Sequence, residues 1–415
     1  TQFGQITAAI SISTVTDDKG NKNSIGTPFS ITVKPKLFET VWSLSGGDPT
    51  VQLPLISGGT YNFDIDWGDG DTDTITSWNQ VLAGESEPVT HTYTSGGTKE
   101  VAIGGPNFTT TGWKFDNGVG QGGDKLKLTV IENWGNLNIS TNDAFWGCSN
   151  LNVTADNAPI VSATDMDRTF SDCTALTSIG GDWDVSNITQ MKYFFNACTN
   201  FNQDIGDWTT TSLVNIQSMF HGGTNFNQDI SSWDTSNIIG MASTFQAATA
   251  FNQNLNGWDW SKNIDSWGMF NTASSFNNGG VAPNWDMSKC EYFVQMFQYT
   301  NFNHDMSGCA GIGAATTGTG IWYQNMFAYN TTFDQNIGHF LVNNIKDSAW
   351  WGMTNILIGG GLSTENYNAT LIAWAAQDAS DNHTPHFGDS VSTGAGATAK
   401  ASLISEDSWI ITDNV

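Results

Sequence analysis

The chain has 415 residues, 44 of them Gly, with 14 Lys+Arg against 40 Asp+Glu and a formal net charge of −26 at pH 7. So few cations exclude a nucleic-acid-binding face and disfavour an anionic membrane surface, because both need clustered basic residues. With 18 Trp and 24 Phe the chain is not disordered, and no apolar run approaches the roughly 18–20 residues of a membrane span.

Residue 1 is Thr, which reads as a processed or partial chain. Residues 1–36 hold two strand-like stretches, Ala8–Val15 and Phe29–Val33, around the turn DDKGNKN, and read as a strand-like linker. Residues 37–131 alternate apolar and polar positions between Gly/Asp turns, the pattern of an antiparallel β-sandwich. YNFDIDWGDG at Tyr61–Gly70 is a strand running into a turn, and His91-Thr92-Tyr93 precedes a second strand, SGGTKEVAIGG. Asp66, Asp69 and Asp71 crowd the first turn and are candidate Ca2+ ligands.

A 25-residue repeat dominates residues 132–355. Phe145, Phe170, Phe195, Phe220, Phe245 and Phe270 form an unbroken series, continued by Phe297 and Phe327. Trp183, Trp208, Trp233, Trp258 and Trp285 form a second column and Phe201, Phe226, Phe251, Phe276, Phe302 and Phe333 a third. One such unit cannot bury its own apolar face, so stacking with neighbours is required. Ile205–Trp208 reads as a short strand, and Met191, Phe194 and Phe195, at i, i+3 and i+4, as a helical turn. These readings predict a leucine-rich-repeat-like (LRR-like) solenoid of about eight to nine coils, with Phe170, Phe195, Phe220, Phe245, Phe270, Trp208, Trp233 and Trp258 as its core ladder. Cys148, Cys173 and Cys198 follow the same period and read as buried inert thiols, disulfides between adjacent coils being the alternative. Asp204 and Asp229 share another column; they cap turns or, alternatively, bind Ca2+ between coils.

After residue 355 the pattern changes. Ser363 is an N-cap with Leu362 as its staple, opening a helix to about Gln377. A second helix is expected over Ala395–Ser405 and a last strand over Trp409–Thr412, together an α/β C-terminal cap over 356–415.

Two resemblances follow from these motifs. WGDG with the later HTY resembles the polycystic-kidney-disease (PKD) type of Ig-like domain. The repeats FNQDI…WD(V/T)SN…MF, with the tail LSTENYNATLIAWAAQ, resemble the BspA-like leucine-rich-repeat surface proteins, including those with Mycoplasma-lipoprotein-type repeats. The resemblance implies a mainly β protein with short helical turns: an Ig/PKD-like sandwich, an LRR-like solenoid and the cap. It implies a secreted or displayed protein of a bacterial cell or a virion, with adhesion or recognition as its role and no catalytic motif to carry over. The expected partner is a surface protein or glycan of a cell; self-association or contact with neighbouring virion or surface subunits belongs to the alternative role, a structural subunit. No cofactor is required beyond the Ca2+ alternative.

The six His are scattered, and Pro385 separates His383 from His386, so no metal or catalytic constellation stands out. Trp267, Tyr299, Trp322 and Tyr323 are the candidate ligand-binding residues. The last two adjoin the insertion Gly308–Gly320, and insertions in repeat arrays map to loops on one face. The sequence departs from the repeat there, at Cys309 and at Trp350-Trp351.

Overall fold

The computed structural model describes residues 6–10, 15–16, 22–23, 29–33, 36–85, 88–115, 124–315, 320–346, 352–377 and 382–413. Residues 17–21 of the DDKGNKN turn, 316–319 of the insertion and Trp350-Trp351 lie outside them. In chain order the strands are β1 (Ile6–Ile10), β2 (Val15–Thr16), β3 (Lys22–Asn23), β4 (Phe29–Val33), β5 (Phe38–Leu44), β6 (Thr50–Gln52) and β7 (Tyr61–Asp66). They continue as β8 (Thr72–Ile75), β9 (Thr90–Thr92), β10 (Gly97–Thr110), β11 (Leu128–Asn133), β12 (Asn138–Ile139), β13 (Asn152–Val153) and β14 (Ile160–Val161). The helices are α1 (Thr364–Ala375) and α2 (Gly394–Glu406).

This is a mainly β protein with two helices, and it corrects the expected fold class. In place of a two-sheet Ig/PKD-like sandwich stands one mixed sheet of six strands in the order β13-β11-β5-β10-β7-β8, with β6 and β9 paired separately. Alternation sets its buried face: Phe38, Thr40, Trp42 and Leu44 on β5, and Tyr61, Phe63 and Ile65 on β7. β13, from the first repeat, joins this sheet parallel to β11.

The expected LRR-like solenoid of about eight to nine coils, each one strand and one helical turn, is also absent. Between Val161 and Asn278 no residue is in a strand or helix; the repeats are built of turns, and only single-residue parallel bridges such as Gln190–Asn215 and Asn215–Gly240 link neighbours. Backbone dihedrals give the reason. In all eight repeats the residues two before and two after the Phe have positive φ, for example Tyr193 (58°) and Ala197 (57°) around Phe195. Two left-handed residues per turn rule out an α-helix. The amides divide accordingly. Those of Met191, Tyr193, Phe195 and Ala197 donate to Asn215, Gln217, Met219 and His221 of the next repeat at 2.7–3.0 Å. Those of Phe194, Asn196 and Cys198 donate three residues back within the turn. The amides of this turn thus find partners without regular secondary structure.

Of those sixteen left-handed positions only Gly147, Gly222 and Gly268 are glycine. Ala247, at φ 59°, is a clean test. Ala247→Gly is expected to raise unfolding stability by about 0.5–1 kcal/mol, because relief of left-handed strain exceeds the added freedom of the unfolded chain. Ala247→Val is expected to lower it. Urea midpoints check both.

The side chains stack as the backbone does. Ring centroids of successive Phe in the first column lie 5.4–5.9 Å apart from Phe145 to Phe327. Phe38 and Trp134 (6.2 Å) and Trp134 and Phe145 (5.5 Å) join this stack to the six-stranded sheet, so one hydrophobic core runs through both. An asparagine ladder runs beside it: Asn202, Asn227, Asn252 and Asn277 each accept the amide of the next rung at 2.8–3.0 Å. The ladder continues through Asn303 to Asp334, which accepts the Ser363 amide at 2.7 Å at the start of α1. Ser363 caps α1 by accepting the Asn366 amide. Trp374 and Thr370 of α1 bond the backbone of Ile337. The expected strand at 409–412 is reduced to a bridge between His386 and Thr412.

Candidate functional site

The turn after β7 folds around its own carboxylates. Asp66 accepts the Gly68 amide at 3.0 Å and Asp69 the Asp71 amide at 3.2 Å. His91, the central residue of β9, lies 2.9 Å from Asp69 through Nε2. Its ring stacks on Trp67 at 4.8 Å and meets the Tyr93 edge at 4.5 Å, while the Tyr93 hydroxyl donates to the Trp67 carbonyl. Burial acts to raise the Asp69 carboxyl, but the hydrogen bonds from His91 and the Asp71 amide outweigh it and leave it below its ordinary value.

Asp69, Asp71 and His91 have ligand atoms within 4.8 Å of one another, the one such group among the described residues. Its donors differ from the expected all-carboxylate set. Asp66 is outside it and an imidazole is in it, a donor that suits transition metals better than Ca2+. The signal for His91 was the HTY motif itself. Asp204 and Asp229 lie outside this group; each accepts the amide two residues on, Gly206 and Ser231, at 2.9 Å. They act as turn acceptors of their own repeats.

The same arrangement recurs along the repeats. Asp184, Asp234 and Asp259 are held below their ordinary values chiefly by the hydroxyl of the Ser two residues on, and Asp229 and Asp305 chiefly by that Ser amide. Their stabilising contribution is complete above the unfolded carboxyl range near pH 4 and is lost as pH falls through the lower folded values. Burial lowers the half-buried His221 and His339 as well, so their contribution is complete above about pH 6.5 and declines below it. The expected urea midpoint is flat from pH 8 to 7, dips slightly below 6.5 and falls below 4, the fall being offset in part by Asp167 and Asp265, which burial raises. A midpoint that rises toward pH 3 contradicts this.

The five Cys are free and buried. The Cys173 and Cys198 thiols donate to the carbonyls of Phe145 and Phe170 at 3.2 and 3.0 Å. Burial pushes Cys290 up to about 12 and Cys309 up to about 11, far from a reactive thiolate.

The candidate aromatics separate. Tyr299 and Tyr329 stack at 4.8 Å with planes 5° apart, and are 47% and 44% exposed. Trp267 is 43% exposed. Trp322 is half-buried and stacks on Tyr292 at 6.1 Å. Tyr323 corrects an expectation: it is fully buried between Phe293 and Phe340, 5.3 and 5.7 Å away, and cannot face a ligand. Adjacent residues in extended chain point to opposite sides, so Trp322 and Tyr323 cannot share a surface. Of the ladder residues, Phe170, Phe195, Phe220, Phe245, Phe270, Trp233 and Trp258 are buried, and Trp208 is half-buried.

One family model, described as Mycoplasma protein of unknown function, DUF285, matches residues 122–213, 164–282 and 269–357, together more than half of the chain. The chain belongs to the DUF285 family. The DUF285 stretches span the turn-built repeats, with β5 to β10 before them and α1 and α2 after. No curated protein and no solved structure matches this DUF285 chain. Among its described residues no helix is long and apolar enough to cross a membrane.

Proposed function

We propose that this DUF285 protein is a non-enzymatic recognition protein of the BspA-like surface class, displayed outside the cell on a bacterium or a virion, and that it binds a surface protein or glycan through its repeats. The pair Tyr299–Tyr329 carries the reading. Elsewhere this left-handed position holds Gly147, Asp172, Ala197, Gly222, Ala247 and Thr272; here it holds two bulky aromatics at φ 57°. Backbone strain under two large, nearly half-exposed rings favours a surface retained for contact.

The test is binding of the full chain to a printed array of cell-surface glycans and extracellular-matrix proteins. The wild type should capture at least one of them, and Tyr299→Ala/Tyr329→Ala should lose that signal at least tenfold while keeping its near-UV circular dichroism. Equal binding by both proteins sinks the assignment.

A second reading rests on β1 and β4, which among the described residues pair with each other alone, as a two-stranded sheet outside the six-stranded one. Such a pair can take a strand from a neighbouring copy, which suits a structural subunit of a filament, surface layer or phage appendage. Light scattering separates the two: a concentration-independent monomer supports recognition, and filaments or closed rings support the structural role.

A further inference from the structure

The Tyr299–Tyr329 stack has two ends, and they differ. On one side Tyr329 lies against Gly359, in the same column one repeat on, where a Cβ would run into its ring. On the other side the column holds Thr272, whose amide donates to the Gln298 carbonyl at 2.8 Å and whose hydroxyl turns back to the Asn271 carbonyl at 2.6 Å. A Thr side chain is too small to cover a phenol ring, so Tyr299 overhangs the repeat of Phe270 with one face open. That repeat also lacks a side chain. At the left-handed position two residues before the Phe, the preceding repeat has Ser243 and the following one Gln295, but here stands Gly268, at φ 58°. It is the one glycine among the repeats at that position. A Cβ on Gly268 would lie 3.4 Å from Ser243 Oγ and 3.8 Å from both Gln246 Oε1 and Asn271 Cβ, so these polar side chains border the gap.

The border is polar, neutral and uncommitted. Asn271 is 7% exposed, and its Oδ1 is buried without a hydrogen-bond partner among the described residues. The carboxamides of Gln246 and Gln295 are half-buried and bond nothing among the described residues. Ser243 Oγ reaches only the Trp267 carbonyl, at 3.5 Å. Hydroxyl and carboxamide groups both donate and accept, as sugar hydroxyls do. The open ring of Tyr299 supplies an apolar platform for the C–H face of a pyranose. None of these residues carries a charge. Asp265, the nearest acid along the chain, is committed to the Trp267 amide at 2.9 Å. An acidic sugar meets no cation among them and is repelled by a chain at −26. A ligand hydroxyl donating to Asn271 Oδ1 removes the cost of an unpaired buried acceptor. We infer, resting on Tyr299 and Tyr329 as a contact surface, that the gap at Gly268 is a subsite for one neutral pyranose ring of a cell-surface glycan, seated against the open face of Tyr299.

The test is surface plasmon resonance of the full chain against polyacrylamide conjugates of glucose, galactose, mannose and N-acetylglucosamine, with a glucuronic acid conjugate as the acidic probe. At least one neutral conjugate should bind saturably, at least tenfold more tightly than the glucuronic acid conjugate. Gly268→Gln fills the gap with the side chain that the next repeat carries at this position. It should weaken that binding at least tenfold with near-UV circular dichroism unchanged. If that variant fails to fold, Gln246→Ala/Gln295→Ala, which removes side chains that bond nothing in the free protein, should give the same loss. No binding of any neutral conjugate, equal binding of the glucuronic acid conjugate, or undiminished binding by the folded variant would each overturn the subsite. Loss of array capture by Tyr299→Ala/Tyr329→Ala, with no neutral conjugate bound by the wild type, leaves the contact surface standing and removes the sugar. Equal binding of a neutral conjugate by the wild type and by Tyr299→Ala/Tyr329→Ala removes the Tyr299 platform, and the subsite with it.

Discussion

Phe220→Ala is expected to lower unfolding stability by about 3–5 kcal/mol, the cost of emptying a fully packed aromatic site. Phe220 has no exposed surface and stacks on Phe195 (5.9 Å), Phe226 (4.0 Å) and Phe245 (5.6 Å). Two of those contacts belong to neighbouring repeats, so the cavity would loosen three repeats at once. The backbone offers little compensation, because it is held by turns and inter-repeat bonds whose geometry depends on the same ring spacing. Phe220→Leu keeps most of the volume and should cost less than half as much. Urea denaturation followed by tryptophan fluorescence measures both. A loss below about 1 kcal/mol for the alanine variant would mean that the column is not the core.

Asp143→Ala should have the next largest effect, a loss of about 2–4 kcal/mol. Asp143 is buried at the first repeat, where it accepts Lys114 Nζ at 2.7 Å and Arg168 Nε at 2.6 Å. Lys114 follows β10 of the sheet and Arg168 belongs to the second repeat, so one carboxylate ties three parts of the chain. Its hydrogen bond to Arg168 raises the already high guanidinium value further. Removing it leaves two cations without their partner, though the 40% exposure of the Arg168 side chain lets water recover part of the loss. Asp143 also sits at φ 59°, where Ala is strained and Asn is tolerated. Asp143→Asn should therefore lose less than Asp143→Ala. A double-mutant cycle with Arg168→Ala reads the pair, and near-zero coupling would show that the charges do not cooperate.

The two largest effects bear on what was readable beforehand. The Phe and Trp columns were legible because burial imposes a period, and side-chain identity reports burial directly. The turn geometry was not, because Met191, Phe194 and Phe195 at i, i+3 and i+4 fit a helical turn and a chain of turns with left-handed residues equally well. Glycine at 147, 222 and 268 hinted at positive φ, but Asp143, Tyr193 and Ala197 hid the pattern. Tyr323 adjoins Trp322 in sequence but points to the opposite side of the chain, so the exposure of one does not carry to the other. His91 stands in a motif downstream of the acidic turn, yet its contact with Asp69 requires β9 to pack against the turn between β7 and β8, 22 residues earlier in the chain.

The proposed role rests on Tyr299 and Tyr329 being a contact surface. Hydroxyl-radical footprinting of the full chain tests that most directly, with and without the glycan or matrix protein it captures on the array. Tyrosine oxidation depends on side-chain exposure, and both rings are nearly half exposed in the free protein. The account predicts that binding lowers oxidation of Tyr299 and Tyr329 at least threefold and leaves the buried Tyr93 and Tyr367 unchanged. Unchanged oxidation of Tyr299 and Tyr329 in a saturated complex, with protection confined to the six-stranded sheet, would contradict it.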